Sequence, residues 1–175
     1  MKLFLSFFLM SMSTLFISCT ETEITQTGDD YSIVHLGDSL PSFSVTASDG
    51  SVYSNRSLRG TVSIIIFFNT FCSDCRQELP QVNQLYQIYQ HTPLVRLIAV
   101  SREETASDIS SYWATHGLVI PYSPQSDRSV YSLFASQGIP RIYITDRQGY
   151  VRFLSSDTKM PDTIELSSHI HNLLP

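Results

Sequence analysis

Cys72 and Cys75 are separated by two residues in the run Cys72-Ser73-Asp74-Cys75. On a helix that spacing places the second sulfur one turn beyond the first, close enough for a disulfide to form and break. The preceding run Val62, Ser63, Ile64, Ile65, Ile66, Phe67, Phe68 is apolar and β-branched, as a strand buried on both faces requires. A strand leading into a helix sets Cys72 at the helix N-terminus, where unpaired N–H groups and the positive end of the dipole favour a thiolate. Cys72 is then expected to attack a partner disulfide, and Cys75 to displace the resulting mixed disulfide. Two other uses of the pair stay open at this point. Half of a zinc site would need further ligands from His35, His91, His116, His169 and His171, none of which has finger-like spacing. A purely structural disulfide would close so short a loop that it constrains little of the unfolded chain.

The elements that must hold this pair are legible as patterns. Leu79, Val82, Leu85, Tyr86 and Tyr89 recur at helical spacing, and residues 94–100 form a second apolar strand-like run. Strand, helix and strand of this kind predict a parallel βαβ unit, hence an α/β fold. Upstream, residues 43–45 and 52–53 flank Asp49-Gly50 and predict a short hairpin. Downstream, residues 107–116 and 127–136 are expected to be helical, with Asp127 as an N-cap. Residues 141–145 and 150–154, joined at Asp146-Arg147-Gln148-Gly149, predict an antiparallel hairpin. Pro161 opens a closing helix whose apolar face is Ile164, Ile170, Leu173 and Leu174. Trp113 and the five histidines are expected to be packing or surface residues.

The chain has 175 residues, 42% hydrophobic and 15% charged, enough for one globular core. Its net charge of -5 offers no surplus of cations for a phosphate backbone, which argues against nucleic acid as a partner. The three cysteines are too few for a disulfide scaffold. Residues 3–20 carry no charge, follow Lys2 and are rich in Phe and Leu, the layout of an export signal. An uncleaved membrane anchor and simple secretion are the alternatives. The segment ends Phe16-Ile17-Ser18-Cys19, which resembles a bacterial lipobox, the kind of signal cut before a cysteine that then carries lipid. The expected organisation is a signal peptide over 1–18, a lipidated Cys19 opening a tether over 19–35, and one domain over 36–175. That places the domain in the bacterial cell envelope, outside the cytoplasm and facing the periplasm.

Three ordered features of the domain resemble the thioredoxin superfamily, and within it the membrane-anchored TlpA/ResA-like thiol-disulfide oxidoreductases. They are the run from Phe67 to Pro80 around the two cysteines, then Gly138-Ile139-Pro140, then Asp146-Arg147-Gln148-Gly149 after a strand. The resemblance implies a thioredoxin-like fold, a central mixed sheet flanked by helices, with an extra βα insertion over residues 101–120 between the cysteine helix and a cis-proline. It implies that Cys72 and Cys75 form a redox-active disulfide, with no other cofactor and no metal. The implied partners are protein dithiols and disulfides, a membrane thiol electron donor, and the membrane itself through the lipid. Pro140 matches the cis-proline that faces the disulfide, with Ile139 and Arg141 beside it along the substrate groove. Pro80 matches a helix-kinking proline. Glu78 matches an acidic residue under the active site, where a carboxylate can take the proton of Cys75.

Departures from the family pattern carry information as well. Ile66 stands where thioredoxin itself has a buried aspartate, leaving Glu78 or water to move protons. Phe71 replaces the usual tryptophan and loses its N–H donor. Arg141 stands where threonine is common, so a cation beside the groove would favour acidic partners. Asp74 opposes a thiolate at Cys72 while Arg76 supports it, which on balance points to a reductant of protein disulfides. The alternatives are a peroxiredoxin-like peroxidase, whose proline and threonine pattern before the cysteine is absent, and a non-catalytic binding module.

Overall fold

The computed structural model describes residues 31–175. The signal segment, Cys19 and the first part of the tether lie outside the described residues. Strands β1 (Ser44–Thr46) and β2 (Val52–Ser54) form the expected hairpin. Strand β3 (Val62–Phe68) is buried along its whole length, as side chains that are mostly apolar on both faces dictate. Helix α1 (Ser73–Tyr89) returns the chain to β4 (Val95–Ser101), which pairs parallel with β3 and sets Ile64 opposite Leu97. Helix α2 (Ala106–His116) follows, capped by Thr105 at its start and by Gly117 in the left-handed conformation at its end. The short β5 (Tyr122–Ser123) adds to the far edge of β4. Strand β6 (Arg141–Thr145) pairs antiparallel with β3, and β7 (Val151–Ser155) with β6. Helix α3 (Thr163–Leu173) closes the chain, and the sheet order is β5-β4-β3-β6-β7.

The two faces of β3 seed two halves of the core. Phe67 packs at 4.8 Å on Phe134, which meets Tyr143 at 5.2 Å and Phe43 at 5.5 Å. Phe68 points to the opposite face and meets Trp113 at 5.0 Å. Trp113 is core, and its indole N–H donates to the carbonyl of Ile120 at 2.8 Å. Asn83, buried on α1, accepts the N–H groups of Val119 and Ile120 and so ties that loop to the helix carrying the cysteines.

Several expectations are corrected. Residues 127–136 hold one turn of 3-10 helix, Tyr131–Leu133, in place of a longer helix. Asp127 does receive a backbone N–H, but that of Ser129, two residues on, so it makes a local turn. The Phe134 carbonyl is taken by the N–H groups of Ile33 and Val34, and Ala135 bridges to Ser32, so the segment spends its backbone groups on residues 32–34. Between α1 and the Ile139–Pro140 bond lie β4, α2 and the two-residue β5, and α2 falls within residues 101–120 as expected. In α3 the N-cap is Asp162 and the buried residues are Leu166 and Ile170, while Ile164 faces solvent.

Candidate redox site

Cys72 is the N-cap of α1, with extended backbone and no side-chain cap, so the first turn keeps N–H groups available to a thiolate. Its Sγ lies 3.5 Å from the carbonyl oxygen of Ile139. Cys72 is partly exposed and Cys75, one turn on, is fully buried; both are free thiols. Burial pushes the Cys75 thiol well above its ordinary range, and the neighbouring Cys72 adds to the rise. The two sulfurs therefore differ in access in the sense that separates an attacking thiol from a resolving one.

Glu78 stands one further turn along α1 and is 2% exposed. Its Oε1 has no hydrogen-bond partner. Burial first, and the Glu165 carboxylate second, push its pKa up to about 7. A carboxyl group so placed changes protonation near neutral pH, as a proton acceptor for Cys75 would need to do.

The loop entering α1 is held by a residue without a sequence signal. Glu104 is 3% exposed, and its carboxylate accepts the Thr70 N–H at 2.9 Å and the Thr70 hydroxyl. Asn69 donates to the Arg102 carbonyl at 2.9 Å and accepts the Phe71 N–H at 2.8 Å. Arg76 donates to the Thr70 carbonyl at 2.6 Å. Phe71 is left 73% exposed beside Cys72. Nothing local marked Glu104, because an acid just ahead of a helix is ordinarily a solvated first-turn residue.

Across the site, the Ile139–Pro140 bond is cis and Gly138 has a φ of +82°. Tyr131 donates its hydroxyl to the Gly138 carbonyl at 2.7 Å. Arg141 corrects an expectation: its side chain is fully buried and cannot present a cation to the groove. Its guanidinium turns back to donate to Ser32 Oγ at 2.7 Å and the Gln137 carbonyl at 2.9 Å. Arg141 therefore braces the proline loop from behind. A groove of about 890 Å³ opens beside Cys72, walled by Asn69, Arg102, Arg128, Gly138, Ile139 and Asp157. Among the described residues no cluster of His, Cys, Asp and Glu is arranged to hold a metal ion.

Compared with known proteins, the sequence matches the AhpC/TSA family over residues 36–154. It is 25% identical over 142 residues to the thiol-disulfide oxidoreductase ResA of Geobacillus thermodenitrificans, spanning 81% of this chain and 80% of that one. With ResA of Bacillus anthracis it shares 25% identity over 118 residues, 67% of this chain and 68% of that one. Among solved structures, a thiol:disulfide interchange protein of Chlorobium tepidum superposes with a TM-score of 0.68 at 23% identity, covering 79% of this chain and 97% of that one. A secreted disulfide oxidoreductase of Mycobacterium tuberculosis, homologous to E. coli DsbE, superposes at 0.65 with 18% identity, covering 75% and 96%. These likenesses show the α/β thioredoxin-like fold that the motifs predicted.

Proposed function

The chain belongs to the AhpC/TSA family and is a ResA-like thiol-disulfide oxidoreductase of thioredoxin fold, and from that premise we propose that it reduces protein disulfides through Cys72 and Cys75. The observation that carries this reading is the asymmetry of the pair: a partly exposed Cys72 at the helix start, facing the Ile139 carbonyl, and a fully buried Cys75 behind it. In the first step the Cys72 thiolate attacks one sulfur of the substrate disulfide, forming a mixed disulfide and releasing the other sulfur as a thiolate, which takes a proton from solvent. Cys75 then attacks Cys72 Sγ. Its proton passes to Glu78, and the substrate's second sulfur leaves as a thiol after protonation. The two electrons gained by the substrate are those lost in forming the Cys72–Cys75 disulfide.

A membrane thiol donor would return the disulfide to the dithiol. Lipid on Cys19 would hold the domain on the outer side of a membrane, in the periplasm, with residues 20–35 as the tether. Among the described residues, no helix is long and apolar enough to cross a membrane. Ile139 and Pro140 would offer backbone to an extended substrate segment, since the Ile139 carbonyl already lies at Cys72 Sγ. The peroxidase alternative has less support, because the Thr70 hydroxyl near Cys72 is engaged by Glu104.

The test is dithiol-dependent reduction of insulin by the wild-type protein and by Cys72→Ser and Cys75→Ser variants. Turnover by the wild type and none by Cys72→Ser is expected. A folded wild-type protein without activity would favour the binding module instead.

A further inference from the structure

Resting on that reading, we infer that the groove beside Cys72 selects substrates carrying an acidic side chain next to the cysteine under attack, with Arg102 and Arg128 as its recognition residues. Both arginines line the groove that contains Cys72 and Ile139. Their guanidiniums lie over the ring of Tyr131, 5.2 and 5.6 Å from its centroid. Tyr131 is buried and its hydroxyl is bonded to Gly138 of the proline loop, so the two cations are held in register with the backbone that faces Cys72. Arg128 is further fixed by a bond from Nη2 to the Ser136 carbonyl at 2.7 Å. Arg102 Nε is shut away from solvent and has no hydrogen-bond partner. The Arg102 side chain is 21% exposed, so an acceptor arriving from outside meets the accessible part of its guanidinium and not Nε.

Glu103 marks what fits between them. Its Oε2 stands 3.8 Å from Arg102 Nε and 4.0 Å from Arg128 Nη1, near enough for attraction and too far for hydrogen bonds. It is half exposed, and its backbone φ of 58° lies in the left-handed region, where glutamate is uncommon. A substrate carboxylate that reached hydrogen-bonding distance of the same guanidiniums would replace a long contact by short charge-assisted ones. A neutral or basic side chain has nothing to gain by displacing Glu103. Asp157, the carboxylate on the groove wall, packs against Gly138 on the side where the Arg141 guanidinium also lies. Recognition of acidic partners thus falls to Arg102 and Arg128, while Arg141 stays buried.

The test uses the reduced protein and a set of disulfide-linked short peptides, identical except for Glu, Gln or Lys beside the cysteine, with second-order rates followed at low and high salt. The Glu peptide should react roughly tenfold faster than the Gln peptide, with the ratio falling as salt is added. In an Arg102→Gln, Arg128→Gln double variant the ratio should drop to about one, and in Glu103→Gln it should rise above that of the wild type. A wild-type ratio near one, or a ratio that survives in a folded double variant, overturns the inference. If the double variant does not fold, Glu103→Gln decides alone, and an unchanged or lower ratio overturns it. Should the Gln peptide react no faster with wild type than with Cys72→Ser, the thiol-exchange reading itself has failed, and the inference falls with it.

Discussion

The Glu104 carboxylate accepts the Thr70 N–H at 2.9 Å across 34 residues of chain, and both groups are buried. The turn after β4 is thereby fastened to the turn that delivers Cys72 to the start of α1. Replacing Glu104 with Ala strands a buried N–H and a buried hydroxyl, and should cost about 1–3 kcal/mol in urea unfolding. If the carboxylate also positions Cys72, the variant should lower the rate of attack on a peptide disulfide at conditions where it remains fully folded. Unchanged stability would contradict the assigned contact.

Glu78 gives a pH-dependent prediction with a definite sign. Its pKa is raised in the folded protein from the ordinary 4.5 to about 7, because burial and then Glu165 disfavour the charged form. Ionisation therefore costs stability progressively as pH rises from about 4.5 to about 7, and the cost is constant above that. Relative to wild type, Glu78→Gln should gain about 3 kcal/mol at pH ~8 and nothing at pH ~4. The same variant should slow resolution of the mixed disulfide roughly 10–100-fold above neutrality and lose the rise in rate through pH ~7. Single-turnover kinetics and denaturant curves at both pH values check the two halves separately.

Gly138 is restricted twice over. Its φ is +82°, and an added Cβ would lie 2.8 Å from Asp157 Oδ1 and 3.1 Å from Arg141 Nη2. Gly149, at φ +86°, has open space where its Cβ would be. Gly149→Ala should cost ~1 kcal/mol for backbone conformation alone, and Gly138→Ala ~2–4 kcal/mol because packing adds to it. Equal losses in the two variants would show that the proline loop is not packed as described.

Arg141→Met should be destabilising by ~2–4 kcal/mol, since at a fully buried position it removes the donor to Ser32 Oγ and the Gln137 carbonyl. It should leave the preference between Glu and Gln peptides unchanged, because the lost cation does not reach the groove. A surface arginine would give the opposite pattern, with little change in stability and a clear change in preference.

What the sequence revealed follows from how local each signal is. The apolar run of β3, the helical spacing of α1 and the Asp146–Gly149 turn are set by near neighbours and are read directly. Tyr131 and Phe134, three residues apart behind Asp127, look the same whether one 3-10 turn or a whole helix follows. The outcome there depended on Ile33 and Val34, a hundred residues upstream, claiming the Phe134 carbonyl. The burial of Arg141 is equally non-local, its partner Ser32 being 109 residues away. Glu104, Arg102 and Arg128 sit in loops where charge ordinarily means solvent, so only the fold brings them to Cys72.

The central claim is that Cys72 attacks and Cys75 resolves. Its most direct test is to react the Cys75→Ser variant with a disulfide-bonded peptide and map the product by mass spectrometry. A stable mixed disulfide on Cys72 is expected, and no adduct with Cys72→Ser. An adduct on Cys75 in the Cys72→Ser protein, formed as fast as that on Cys72, would contradict it.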